Sequence, residues 1–155
     1  ISGLPFAGDG SQFVGSVWLR RTNTSDKKYI AMIGQSGNSI ISYHHDSNGN
    51  DMGGAIPDFT ACPNLYYLIL FNNKFSSYTS GSFVDLRRIK YIDLANNDLS
   101  QQAVNSIIDD LYLNYQTYGS GRRITLNLRG NATPGEEAIE TILLLRQTGW
   151  TITFT

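Results

Sequence analysis

Two adjacent acidic pairs, Asp109-Asp110 and Glu136-Glu137, are where this chain of 155 residues would place general acid–base chemistry. An acid and a base must converge on one substrate from suitable positions. Both pairs fall in segments of helical periodicity, where consecutive side chains diverge by about 100 degrees, so neither pair can converge. Near helix starts such carboxylates answer the positive end of the helix dipole instead. Asp46-x-Asn48-x-Asn50 opens like a calcium loop. Yet Asp51 stands where that loop needs Gly, and Pro57 where it needs the bidentate Glu, so the segment reads as a turn. The two histidines, His44 and His45, are neighbours on strand-like sequence and point to opposite faces, so they cannot share a metal. Cys62 is the single cysteine, which excludes an intrachain disulfide or a thiolate cluster and suits a small apolar filler. Gly119-Ser120-Gly121 lacks the lysine of a phosphate loop, Gly8-Asp9-Gly10 reads as a turn, and no Gly-x-Ser-x-Gly elbow occurs. The expectation is a non-enzyme: no catalytic residue, no metal and no cofactor.

The other chemistry a sequence can encode is recognition, and a repeated pattern points there. Leu65-x-x-Leu68-x-Leu70-x-x-Asn73, Ile89-x-x-Ile92-x-Leu94-x-x-Asn97 and Leu126-x-Leu128-x-x-Asn131 each set apolar residues at the inward positions of a short strand and an Asn three residues beyond. Such repetition marks stacked structural units. Asn73, Asn97 and Asn131 read as a structural ladder, each amide bonding turn backbone that would otherwise be stranded. Because side chains alternate along a strand, the residues between the apolar ones form an outward column. It comprises Tyr67, Ile69 and Phe71; Tyr91, Asp93 and Ala95; Thr125, Asn127 and Arg129; and Thr151, Thr153 and Thr155. Aromatic faces beside Asp, Asn and Arg suit sugar rings and protein hot spots equally well. The competing reading is that Ile69 and Phe71 are covered by the first 50 or so residues or by another subunit.

Composition agrees with a recognition surface. Net charge is −1 and charged residues make up 16%, against about 25% for an ordinary domain, while Asn, Ser, Thr, Gly and Tyr abound. A near-neutral chain lacks the basic footprint of nucleic-acid binding. No apolar run reaches the roughly 18 residues of a membrane span, so no membrane insertion is expected. No signal peptide stands at the front. The chain opens on Ile1 rather than Met, suggesting a fragment or a processed product.

The elements that must position the column follow from local signals. Phe13 to Arg20, Tyr29 to Ile33 and Ile40 to His44 are strand formers separated by turns at 22–26 and 35–38, which predicts a three-stranded antiparallel meander. The turn-rich run His45 to Gly54 is the boundary, giving a capping β-segment over 1–52 and a repeat domain over 53–155. Asn73 and Asn97 are 24 positions apart, Asn97 and Asn131 are 34. The surplus is a helix: Ser100 is its N-cap, and Ala103, Val104, Ile107, Ile108, Leu111 and Tyr115 share one face. Thr133-Pro134-Gly135-Glu136 reads as a capping box for a second helix, with Ile139, Ile142, Leu143 and Arg146 at helical spacing and Gly149 as its stop. Trp150 to Phe154 is a last alternating strand.

With these residues in view, 53–155 resembles a leucine-rich repeat protein, Gly54-Ala55-Ile56-Pro57 matching the Gly-x-Ile-Pro variant of that repeat. The stretch DLANNDLSQQAVNSIIDDL and the tail ITLNLRGNATPGEEAIETILLLRQTGWTITFT resemble the repeat ends of bacteriophage tail-fibre and bacterial surface proteins. Ile1 to Phe6 is similar to the distal β-modules of tail fibres. The resemblance implies an α/β fold: a short leucine-rich-repeat solenoid of parallel strands with two convex-side helices, preceded by a small antiparallel β-meander. It also implies a receptor-binding, host-attachment adhesin, virion-borne or extracellular, that contacts a host cell-surface glycan or protein as a homotrimer or other homo-oligomer. Two alternatives stay open: a bacterial secreted or surface adhesin, and a structural subunit of an extracellular fibre whose repeat face is buried in the assembly.

Overall fold

The computed structural model describes residues 53–119 and 121–155 in full and, before them, only the backbone pairing of three strands, β1 (Trp18–Thr22), β2 (Lys28–Gln35) and β3 (Asn38–His44). There follow β4 (Gly53–Ala55), β5 (Leu65–Ile69), β6 (Lys74–Ser77), β7 (Tyr91–Asp93), α1 (Gln101–Tyr118), β8 (Thr125–Asn127), α2 (Glu136–Gln147) and β9 (Thr151–Thr153). Ile1 to Phe6, Gly8-Asp9-Gly10, His45, the Asp46-Asn48-Asn50 run and Ser120 lie outside the described residues.

Seven strands form one sheet in the order β1-β2-β3-β5-β7-β8-β9. β1 with β2 and β2 with β3 pair antiparallel; every later pair in this sheet is parallel. Leu68, Ile92, Leu126 and Ile152 stand in register across four adjacent strands, and all four are almost wholly buried. Each such side chain contributes about 1.5–3 kcal/mol by leaving water, and a slip of one residue would turn the whole set outward. Burial therefore fixes the register.

This architecture corrects the expected one. The chain is α/β with parallel rungs, but no antiparallel meander stands as a unit before a solenoid. β3 pairs in parallel with β5, Ile41 opposite Leu68 and Ser42 opposite Ile69, so the early strands extend the same sheet across the expected boundary. Nor do the connections repeat as a solenoid's would. β5 leads into β6 and a series of tight turns, β7 into an 18-residue helix, and β8 into a 12-residue one. The strands share a period; the segments between them do not.

The helices, the turns and a second, two-stranded parallel sheet of β4 and β6 cover one face of the large sheet. The core between these layers includes Ile56, Phe59, Phe75, Phe83, Leu86, Ile89, Leu99, Ile107, Leu111, Ile142 and Trp150. Ser100 caps α1 by accepting from the Ala103 amide at 3.2 Å. The second helix departs from expectation. Its N-cap is Gly135, which has no side chain to cap with, and Asn105 Oδ1 of α1 accepts the Gly135 N–H at 2.9 Å. Its buried face is Ala138, Ile142 and Leu145, while Leu143 is half exposed.

Between β6 and β7 no helix covers the sheet, and α1 reaches over to replace it. Asp110 Oδ2 accepts from the Tyr78 hydroxyl at 2.5 Å and from the Gly81 and Phe83 amides at 2.7 and 3.2 Å. One turn further on, Asn114 Nδ2 donates to the Phe83, Val84 and Leu86 carbonyls. Arg122 donates to Asn114 Oδ1 and to the Leu86 and Ile89 carbonyls. Another turn along, Tyr118 bonds Asp85. Four-residue spacing brings Asp110, Asn114 and Tyr118 to one side of the helix, where they bolt it to the 78–89 turns. Asp110 thus sits mid-helix and buried, contrary to its expected place near a helix start. Glu136 and Glu137 do occupy the first turn of α2.

Candidate functional site: the open face of the sheet

The face of the sheet opposite the helices carries the outward column, and its rows are aligned by strand register. Tyr67, Tyr91, Thr125 and Thr151 form one row; Ile69, Asp93, Asn127 and Thr153 form the next. Tyr67 and Thr151 are exposed, while Tyr91, Thr125, Ile69, Asp93, Asn127 and Thr153 are half buried. Phe71 is also half buried, and Arg129 and Thr155 are exposed. Ala95, expected to face out, is only 7% exposed.

Aromatic rings cluster at one end. The Tyr67 ring centroid lies 4.8 Å from that of Tyr66 and 6.4 Å from that of Tyr91. Strict alternation sends Tyr66 to the other face. It joins the cluster because pairing of β3 with β5 shifts register at this strand entry.

The polar groups hold one another in place. Tyr91 donates its hydroxyl to Asp93 Oδ2 at 3.1 Å, and Asp93 Oδ1 accepts from the Ala95 amide at 3.1 Å. Asn127 Oδ1 accepts from the Arg129 amide at 3.3 Å and the Thr153 hydroxyl at 3.1 Å. Burial, then the nearby Asp93 carboxylate, pushes the Tyr91 phenol above its ordinary range. The side chains are therefore fixed before any ligand arrives.

Beneath this face runs the asparagine ladder. Asn97 Nδ2 donates to the Leu70, Leu94 and Ala95 carbonyls at 3.0, 2.9 and 3.3 Å, and its Oδ1 accepts the Phe75 amide at 3.1 Å. Asn131 repeats the arrangement, donating to Leu94, Leu128 and Arg129 and accepting from Leu99. Asn73 donates to Leu70 and Phe71, but its buried Oδ1 has no partner.

A second set of amides lines the rim. Asn72 and Asn96 take positive φ, 55° and 54°, a conformation Asn tolerates better than most residues. Asn96 Nδ2 donates to Asn72 Oδ1 at 2.7 Å. The corresponding position in the next rung is Gly130, φ 72°, where an added Cβ would lie 2.4 Å from Asn96 Oδ1. The positive φ, with Asn96 Cα 3.2 Å from where a Cβ would stand, favours glycine there.

Among the described residues no three His, Cys, Asp or Glu side chains gather as a metal site would require. No described helix is long and apolar enough to cross a membrane. Cys62 is half buried against the core, and that burial, with Asp58 nearby, pushes its thiol up. In comparisons with known proteins, no family model, no curated protein and no solved structure matches this chain.

Proposed function

We propose that the open sheet face is a non-catalytic recognition surface for a molecule on a cell envelope. The observation that carries this reading is the internal bonding of the face. Tyr91, Asp93, Asn127 and Thr153 are tied to one another or to local backbone, so contact with a partner orders few side chains and wastes little entropy. The Tyr66–Tyr67–Tyr91 cluster supplies rings for stacking, and Arg129 supplies charge. The partner is a host cell-surface glycan or protein. The setting inferred is the tip of a phage tail fibre, virion-borne and multimeric, on the strength of the resemblance of 93–111 and 124–155 to such proteins. Repeated weak contacts over a multimer then add avidity.

The test is adsorption to host cells after replacing Tyr67, Tyr91 and Arg129 together by Ala. Loss of adsorption with an unchanged circular dichroism spectrum is expected. Unchanged adsorption would remove the face from the function.

A further inference from the structure

Where the parallel strands begin, at the edge of the sheet rather than on its open face, we infer that the residues leading into β7 and β8 form a binding site for a multiply charged phosphate group. Arg87, Arg88 and Lys90 precede β7, and Arg122 and Arg123 precede β8, so five of the chain's 12 basic residues gather in two short runs. The acid among them is Asp85, which accepts from the Tyr118 hydroxyl. That donor is neutral, so Asp85 keeps its charge and offsets one cation. The next acids are Asp110, on the Gly81 and Phe83 amides, and Asp58, beside the Phe59 amide that donates to Ser82. Counting both still leaves the cations in excess.

The fold holds these charges together. α1 returns its last residue, Tyr118, to the strand starts, where the Arg87 and Arg122 guanidinium carbons lie 5.5 and 6.0 Å from its ring centroid. Arg122 donates to Asn114 Oδ1 at 2.6 Å and to the Leu86 and Ile89 carbonyls at 2.9 and 3.3 Å, which ties the two runs to each other. Lys90 follows Ile89, and its carbonyl accepts the Thr125 amide at 2.9 Å. Arg123 reaches over the end of α2, its Nε 3.1 Å from where a Cβ on Gly149 would stand. Arg87, Arg88, Lys90 and Arg123 are exposed and Arg122 is half buried. All three acceptors of Arg122 are neutral, and burial pushes its guanidinium below its ordinary value. The C-terminal end of α1 answers roughly half of one charge. The rest of the excess has no answer in the fold and suits an anion.

The size of the excess selects the anion. A carboxylate brings one charge, whereas a terminal phosphate brings about two and offers three acceptor oxygens. Guanidinium forks match those oxygens two at a time, and Lys90 adds a point charge. Nucleic acid is the competing polyanion, but it asks for cations tracked along several nucleotides and rings on which bases stack. Here the cations share one short edge, and the ring between them already carries two guanidiniums.

Calorimetry at low ionic strength titrates inorganic pyrophosphate, glutarate and oligothymidylate into wild type, Arg87→Gln/Lys90→Gln, Arg123→Gln and Lys74→Gln. Arg122 is left in place because it ties α1 to the turns; Lys74 is an exposed cation at the opposite, strand-exit edge. Pyrophosphate is expected to bind wild type and Lys74→Gln alike and more tightly than glutarate. The double variant, its circular dichroism unchanged, should bind it at least about 10-fold more weakly, as loss of two charge-assisted contacts implies, and Arg123→Gln should lose part of the affinity. Phosphatidylcholine vesicles with and without phosphatidic acid separate the sources: sedimentation only with phosphatidic acid, lost in the double variant, upholds the site for a lipid-borne group, and pyrophosphate binding without it upholds the site for a soluble or polymer-borne one. Absence of pyrophosphate binding, equal binding of glutarate, or a double variant that binds like wild type overturns the proposal. Oligothymidylate binding more tightly than pyrophosphate overturns it in favour of nucleic acid.

Discussion

Replacing the ladder asparagines one at a time by Ala gives costs that the hydrogen bonds rank in advance. In Asn97→Ala the Leu70 carbonyl keeps Asn73, the Leu94 carbonyl keeps Asn131 and the Ala95 carbonyl keeps the Asn72 amide. The Phe75 amide loses the Asn97 oxygen it donates to in the core. Stranding a buried N–H costs about 1–3 kcal/mol, and thinning three carbonyl contacts adds to it, so the expected loss is about 3 kcal/mol. Asn131→Ala strands the Leu99 amide in the same way, but at a half-buried site, and costs about 2 kcal/mol. Asn73→Ala strands no amide and removes an oxygen that is already unpartnered; its cost is about 1 kcal/mol or less. Urea unfolding, with stability extrapolated to water at a common m-value, measures all three. An Asn73 variant that loses as much as the Asn97 variant would refute the reasoning.

Two further perturbations test the parts that hold the face in place. The Tyr78 phenol is pushed well above its ordinary value by burial, reinforced by the bond to Asp110 and its charge. The folded state therefore holds this proton more tightly than the unfolded one. The Tyr78 ionisation alone should lower stability by about 1.4 kcal/mol per pH unit as pH rises above about 10, and Tyr78→Phe should make the alkaline denaturation slope shallower by about that amount, leaving the part that Tyr91 and Cys62 contribute. Arg146 donates through Nε and Nη2 to the Ile152 carbonyl of β9, an edge strand. Arg146→Met should cost about 1 kcal/mol and leave an unguarded edge that self-associates at high concentration, read by sedimentation velocity.

How much of this was legible in the sequence depends on whether a residue's partner is local. Period-two alternation placed Leu68, Ile92, Leu126 and Ile152 in one wall, and a Ser before an apolar stripe placed the start of α1. Asp110, Asn114 and Tyr118 were not legible. Polar residues four apart on a helix look like a solvated face, and only the missing helix between β6 and β7 makes that face an interior one. The capping box at Thr133 failed as well: the N-cap is Gly135, and Asn105, 30 residues upstream, takes its amide. Tyr66 joined the candidate site through a register shift that no local pattern announces. The solenoid expectation erred because a shared strand period does not require shared connections.

The account rests on the open face, and not the helix layer, meeting the partner. Covalent surface labelling of the protein, free and bound to host envelope, measures this directly. Protection at Tyr67, Tyr91 and Thr151 with Leu113, Leu143 and Leu144 still labelled is the predicted result. Protection of the three leucines with the tyrosines unchanged would contradict it.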